Sequence, residues 1–85
     1  MLEFKPDFAE AQASLGAALG LQGKYPGAIT AFREAIRLDP DSAISHYGLG
    51  LIYVAVKDTD GALREYKVLQ SLDPRLAADL FRTIY

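Results

Sequence analysis

Few residues in this sequence could carry catalytic or metal chemistry. His46 is the only histidine, and cysteine is absent from all 85 residues. Because a catalytic or metal site needs several such groups close together, His46 is interpreted as a packed structural residue. Asp58 and Asp60 form a small acidic corner, which a solvated loop and a helix cap explain better than a metal site. We therefore predict no enzyme activity, no bound metal and no cofactor.

Phosphate and nucleic-acid chemistry are also disfavoured. Residues 16–20 are rich in small side chains, but no Gly-Lys-Ser/Thr sequence follows them, as a phosphate-binding loop requires. The net charge is −2 and the isoelectric point is about 5.2, which gives no electrostatic basis for nucleic-acid binding. The arginines Arg33, Arg37 and Arg64 are interpreted as part of a solvated outer face.

The sequence gives no sign of export or of a membrane segment. Residues 1–5 lack the apolar stretch of a signal peptide. The longest uncharged stretch near the middle, residues 42–56, is shorter than the roughly 20 residues that a bilayer requires. With cysteine absent as well, we expect a cytoplasmic protein without a membrane partner.

A period of 34 residues organises the chain. Pro6, Pro40 and Pro74 stand 34 residues apart, and residues 7–40 align with residues 41–74 without a gap. Such a period is typical of stacked helical units. We predict one domain over residues 1–85, with repeat one at 7–40, repeat two at 41–74, a C-terminal helix at 75–85, and residues 1–6 as the tail of a preceding repeat.

The apolar residues recur at three- and four-residue spacing, which predicts helices. The predicted helices cover residues 8–21, 26–38, 42–56, 60–72 and 76–85. Gly23 should end the first helix in a left-handed conformation, and a non-glycine residue of the Lys57-Asp58 pair should take that conformation in repeat two. Asp7 with Glu10 predicts a capping box, and Asp41 or Ser42 an N-cap. Because Arg75 replaces that acidic residue, we predict that the last helix lacks an N-cap.

These residues resemble a known repeat family. The first copy of its pattern is carried by Leu15-Gly16, Leu19, Gly23, Tyr25, Ala28, Phe32, Ala35 and Pro40, and the second by Leu49-Gly50, Tyr53, Ala62, Tyr66, Leu69 and Pro74. Both copies resemble tetratricopeptide repeats (TPR). The resemblance implies an all-α fold, a right-handed superhelical array of antiparallel helix pairs with about five helices. It also implies a scaffold or adaptor that binds a protein or peptide.

The resemblance places a binding groove on the first helix of each repeat. The candidate partner-binding residues are Ala13, Ala17, Leu21, Tyr47, Leu51, Val54, Phe81 and Arg82, and neighbouring positions include Glu10 and Ile44. A clamp of Lys, Asn and Arg for a peptide's terminal carboxylate, known in this family, would fall on positions where only Arg82 matches. We therefore expect an apolar groove centred on Tyr47, Leu51 and Phe81, without the carboxylate clamp.

Two alternatives to a free groove remain open at this point. The groove residues could pack against further repeats or against the last helix, which would make the chain a structural spacer or self-assembling segment of a larger TPR protein. The apolar residues near both ends, among them Leu2, Phe4 and Ile84, also favour a homo-oligomer formed through those ends.

Overall fold

Five helices build the molecule. The computed structural model describes residues 6–85, with side chains from residue 8 onward, and the predicted tail at residues 1–5 lies outside the described residues. The helices are α1 (Pro6–Leu21), α2 (Tyr25–Leu38), α3 (Ala43–Ala55), α4 (Thr59–Leu72) and α5 (Pro74–Ile84). The predicted all-α helical fold is confirmed. No helix within residues 6–85 is long and apolar enough to cross a membrane.

Each of the first two helix pairs turns through one residue with positive φ. Gly23 has φ of +79° and Lys57 has φ of 66°, and the two positions are 34 residues apart. Glycine adopts this conformation without steric cost, whereas for a residue with a Cβ the conformation costs about 1–2 kcal/mol. The prediction of a non-glycine left-handed residue in the second corner is confirmed, and Lys57 is that residue.

Side-chain caps start the later helices. The Ser45 N–H donates to Ser42 Oγ at 3.3 Å, which confirms Ser42 as the cap of α3. The prediction that the last helix lacks a cap is wrong, because Asp73 Oδ1 accepts from the N–H groups of Arg75 and Leu76 at 3.1 and 3.4 Å. The helix begins at Pro74, two residues earlier than predicted, so the cap position falls on Asp73.

The start of α1 also differs from the prediction. This helix begins at Pro6, so Asp7 lies inside it instead of before it. The side chain of Asp7 lies outside the described residues, as does the capping box predicted for it. Proline suits the first turn of a helix because its missing N–H has no partner there, and Pro74 of α5 uses this property.

One aromatic ring joins the first helix pair to α3. Phe32 of α2 is only 4 % exposed and packs in a core cluster with Ala28, Leu49 and Ile52. A Cβ placed on Gly16 would stand 2.7 Å from Phe32 Cδ2, and one on Gly48 would stand even closer to the ring. The backbones of α1 and α3 therefore approach Phe32 at distances that only glycine permits.

The second interface has a different contact. Its buried cluster contains Leu69 of α4 with Ala77 and Leu80 of α5. Tyr66 occupies the place of Phe32 one repeat later, so an exact repeat would place its ring as Phe32 is placed. It instead packs on Phe81 with ring centroids 5.3 Å apart. The position equivalent to Gly48 is Arg82 in α5, so there is no glycine gap for the Tyr66 ring.

Replacement of Gly48 by alanine tests the close approach. Overpacking costs about 1–3 kcal/mol, partly offset by the roughly 1 kcal/mol that alanine gains over glycine in a helix. We expect Gly48→Ala to lower the free energy of unfolding, measured by urea denaturation, and the added Phe32→Leu change to relieve part of that loss. Gly27→Ala is the matched control, because its nearest side-chain atom is the flexible end of Leu19 at 3.2 Å. Equal effects at Gly48 and Gly27 would contradict the ring-on-glycine contact.

Candidate functional site

A cleft of about 600 Å³ lies between α1 and α3. Phe32 of α2 is almost fully buried and closes the cleft from below. The lining residues are Glu10, Ala13, Ser14, Ala17, Phe32, Ile44, Tyr47, Gly48 and Leu51. Residues four apart share one face of a helix, so the spacing of these residues puts them on facing sides of α1 and α3.

The two walls of the cleft differ in size. Ala13 and Ala17 make the α1 wall low, whereas Tyr47 and Leu51 make the α3 wall high. Ile44 is 63 % exposed at the same wall. The cleft therefore presents apolar surface to solvent along a channel whose shape is set by small residues on one side and large ones on the other.

The structure brings together half of the eight candidate residues. Ala13, Ala17, Tyr47 and Leu51 all line the cleft. Leu21 is 91 % exposed and lies at the last turn of α1, away from the cleft lining. Val54 lines a separate depression of about 250 Å³, whose lining includes Ile84 of α5.

The two candidates on α5 lie outside the cleft lining. Phe81 packs between the rings of Tyr66 and Tyr85, with centroid distances of 5.3 and 5.1 Å. Arg82 forms an exposed ion pair with Asp79 on its own helix. The predicted centre of the groove is therefore divided, with Tyr47 and Leu51 in the cleft and Phe81 in an aromatic row on α5.

The α3 residues also take part in the core. Tyr47, Leu51 and Val54 are half-buried and pack against the cluster of Leu69, Ala77 and Leu80. Each of these three side chains thus packs towards α5. Tyr47 and Leu51 also border the cleft. The two alternatives considered from the sequence, groove lining and packing against the last helix, both describe part of what these residues do.

A family model described as TPR repeat matches residues 21–57. The matched segment runs from the last residue of α1 through α2 and α3, and so includes the contact between Phe32 and Gly48. Over residues 21–57 the chain is therefore similar to the tetratricopeptide repeat family. The resemblance inferred from the sequence is confirmed. A comparison with curated proteins gave no significant match.

TPR repeats generally mediate protein–protein interactions, and the family is generally non-enzymatic. The lining of the α1–α3 cleft is mostly apolar. Its polar side chains are Glu10, Ser14 and Tyr47, and its remaining lining is alanine, glycine and large apolar residues. Within the described part of the chain, no group of three His, Cys, Asp or Glu residues could hold a metal ion.

Sequence reasoning treated Phe32 only as core and missed its part in the cleft. Neither Gly48 nor Ser14 is among the eight candidate residues, although both line the cleft. The signal for Phe32 was its place in the repeat, because a large residue that fills the space between α1 and α3 also forms the floor of any cleft between them.

His46 lies away from the cleft and holds two elements of the TPR fold together. Its Nε2 donates to the carbonyl oxygen of Pro40 at 2.9 Å, and its Nδ1 lies 2.6 Å from Glu65 Oε1 on α4. The side chains of His46 and Glu65 are only 10 % and 13 % exposed. The interpretation of His46 as a structural residue fits this placement, although its contacts are polar.

The surroundings of His46 favour its charged form. The hydrogen bond with Glu65 raises the pKa of His46 above its usual value, although burial acts in the opposite direction. The Pro40 carbonyl and the negative charges of Glu65 and Asp41 add to the increase. Since a carbonyl oxygen and a carboxylate can only accept, both ring nitrogens must donate, which only the imidazolium can do.

The His46 contact predicts a pH dependence of stability. A pKa that is higher in the folded chain gives stability that is fully present below the unfolded pKa, about 6.5, and is lost as pH rises through the folded pKa. We expect the urea midpoint of the native chain to fall across that window. Glu65→Gln should lose most of that pH dependence, because it removes the carboxylate.

Because the chain has one histidine, the pKa of His46 can be measured by nuclear magnetic resonance without overlap from other imidazoles. The imidazole proton resonances of the folded chain should titrate at a higher pH than those of the urea-unfolded chain. A folded pKa equal to or below the unfolded one would contradict the proposed imidazolium contact.

Proposed function

We propose that this chain is a non-catalytic protein-interaction module, a scaffold or adaptor that binds a peptide or partner helix in the α1–α3 cleft. The observation that carries the proposal is the apolar cleft between two TPR first helices, with Phe32 as its floor. Its volume of about 600 Å³ lies within the range of ligand-binding clefts, roughly 300–1,000 Å³.

The lining indicates the chemistry of the ligand. Ala13, Ala17 and Gly48 offer no side-chain hydrogen-bond donors, so the cleft has no cationic clamp for a terminal carboxylate. Its charged lining residue is Glu10, which favours a neutral or basic ligand over an acidic one. A segment with one hydrophobic face, presented as an extended strand or a helix, fits these properties.

The second candidate function is that of a structural or self-assembling segment within a larger TPR protein. The supporting observation is the aromatic row of Tyr66, Phe81 and Tyr85, because Phe81 is 42 % and Tyr85 is 76 % exposed. An apolar surface of this kind suits contact with another repeat. A cytoplasmic location belongs to either proposal and is supported by the lack of cysteine.

Selection from a random peptide display library tests the cleft. Selected peptides should carry a hydrophobic face, and Ile44→Asp should weaken their binding by about tenfold or more, since a charge would be desolvated in the complex. Ile44 suits this test better than Leu51, because Leu51 also packs in the core. Val68→Asp is the matched control, an exposed apolar residue of α4 that does not line the cleft.

Two results would reject the cleft as the binding site. One is equal loss of affinity in the Ile44 and Val68 variants, each with native circular dichroism. The other is peptide-induced amide shifts in nuclear magnetic resonance spectra that avoid α1 and the cleft side of α3. In either case the second candidate function, a structural or self-assembling segment of a larger protein, becomes the better proposal.

Self-assembly predicts a dependence of size on concentration. If the aromatic row pairs with a second copy, light scattering should give a mass that rises with protein concentration, and Phe81→Ser together with Tyr85→Ser should reduce it. The predicted contribution of Leu2 and Phe4 falls outside the described residues. A strict monomer at high concentration would exclude self-association through the apolar surfaces.

A further inference from the structure

A second depression, of about 390 Å³, lies where α2, α3 and α4 meet. Its lining residues are Arg33, Ile36, Arg37, His46, Leu49, Tyr53, Arg64 and Glu65. We call it the arginine pocket, after the three arginines that α2 and α4 contribute. It shares no lining residue with the α1–α3 cleft.

The two surfaces lie on opposite faces of α3. Residues of a helix are rotated by about 100° each, so the set of Ile44, Tyr47 and Leu51 is centred about 180° from the set of His46, Leu49 and Tyr53. A ligand in the arginine pocket would therefore leave the cleft open, and the two surfaces can be tested separately.

The charge of the pocket contrasts with that of the chain. The whole chain carries a net charge of −2, whereas three arginines and one glutamate line this pocket. Glu65 is held by His46 at 2.6 Å, and Arg37 donates to Glu34 at 3.0 Å. Within the described residues, neither Arg33 nor Arg64 has a carboxylate within 4.0 Å.

Apolar surface lies beside these cations. Leu49 is 3 % exposed, Ile36 and Tyr53 are half-buried, and all three line the pocket. Arg33 and Arg64 are themselves exposed, so an incoming ligand can reach their guanidinium groups. Guanidinium groups bind carboxylates through two parallel N–H bonds, so unpaired arginines next to an apolar surface can accept an acidic group that neighbours an apolar one.

We propose that the arginine pocket is a second binding site, which takes a protein segment bearing carboxylate side chains next to an apolar residue. The carboxylates pair with Arg33 and Arg64, and the apolar side chain lies on Leu49 and Tyr53. This ligand differs in charge from the neutral or basic segment proposed for the cleft, so one chain can hold two different partner segments on opposite faces of α3.

Extended nucleic acid is a poorer match than an acidic segment. Nucleic-acid binding requires a basic surface that contacts several phosphates in succession. Here three of the nine Lys and Arg residues line the pocket, and the chain as a whole has a net negative charge. A single phosphate shares the oxyanion chemistry of a carboxylate, so the experiment must separate those two ligands.

Titration of the ¹⁵N-labelled chain with two short peptides tests the proposal. The acidic probe is acetylated and amidated Glu-Glu-Phe-Glu-Glu, and the matched control replaces each glutamate by glutamine. We expect the acidic peptide alone to shift the amides of Arg33, Tyr53 and Arg64. Arg33→Gln with Arg64→Gln should weaken binding about tenfold or more, whereas Arg75→Gln, on α5 outside the pocket, should change it less than about twofold.

Four outcomes would overturn the proposal. An equal loss in the Arg75 variant would indicate general charge attraction. Shifts confined to the α1–α3 cleft would place the ligand there instead. Equal binding of the glutamine peptide would show that the carboxylates are not recognised. Inorganic phosphate that binds more tightly than the peptide would make the pocket a phosphate site, and circular dichroism of each variant separates these results from unfolding.

Discussion

The contact of the Phe32 ring with two glycines sets the geometry of the first three helices. The ring lies in the core between Gly16 of α1 and Gly48 of α3, where any larger residue would overlap with it. The same ring forms the floor of the cleft, so core packing and the depth of the cleft depend on one side chain. A change that shifts this ring alters both the stacking of the helices and the space open to a partner.

Helix α3 links the cleft, the arginine pocket and α4. One of its faces borders the cleft, the opposite face borders the arginine pocket, and His46 ties it to Pro40 and to Glu65 of α4. The buried His46 side chain, with both ring nitrogens hydrogen-bonded, ties α4 to α3 next to Arg64. The hydrogen bonds of His46 therefore help to set the shape of the arginine pocket.

Much of the fold follows from local rules that operate within one repeat. The 34-residue period, the corner at Gly23 and the strained corner at Lys57 could all be predicted because each depends on neighbouring residues. The cap of α5 was missed because the helix begins at Pro74, which places the N-cap on Asp73. The division of the groove and the arginine pocket could not be predicted, since the contact of Phe81 with Tyr66 and the joint lining by Arg33 and Arg64 depend on how separate helices pack.

The difference between Gly48 and Arg82 gives the repeats a fixed order. If α5 were to take the place of α3 against the first helix pair, the bulk of Arg82 would stand where the Phe32 ring needs a glycine. Mispairing of similar units is a characteristic failure of repeat proteins during folding. The two interfaces therefore have different steric requirements. A shift of the pairing by one whole repeat would produce a steric clash, although the two units share most of their sequence pattern.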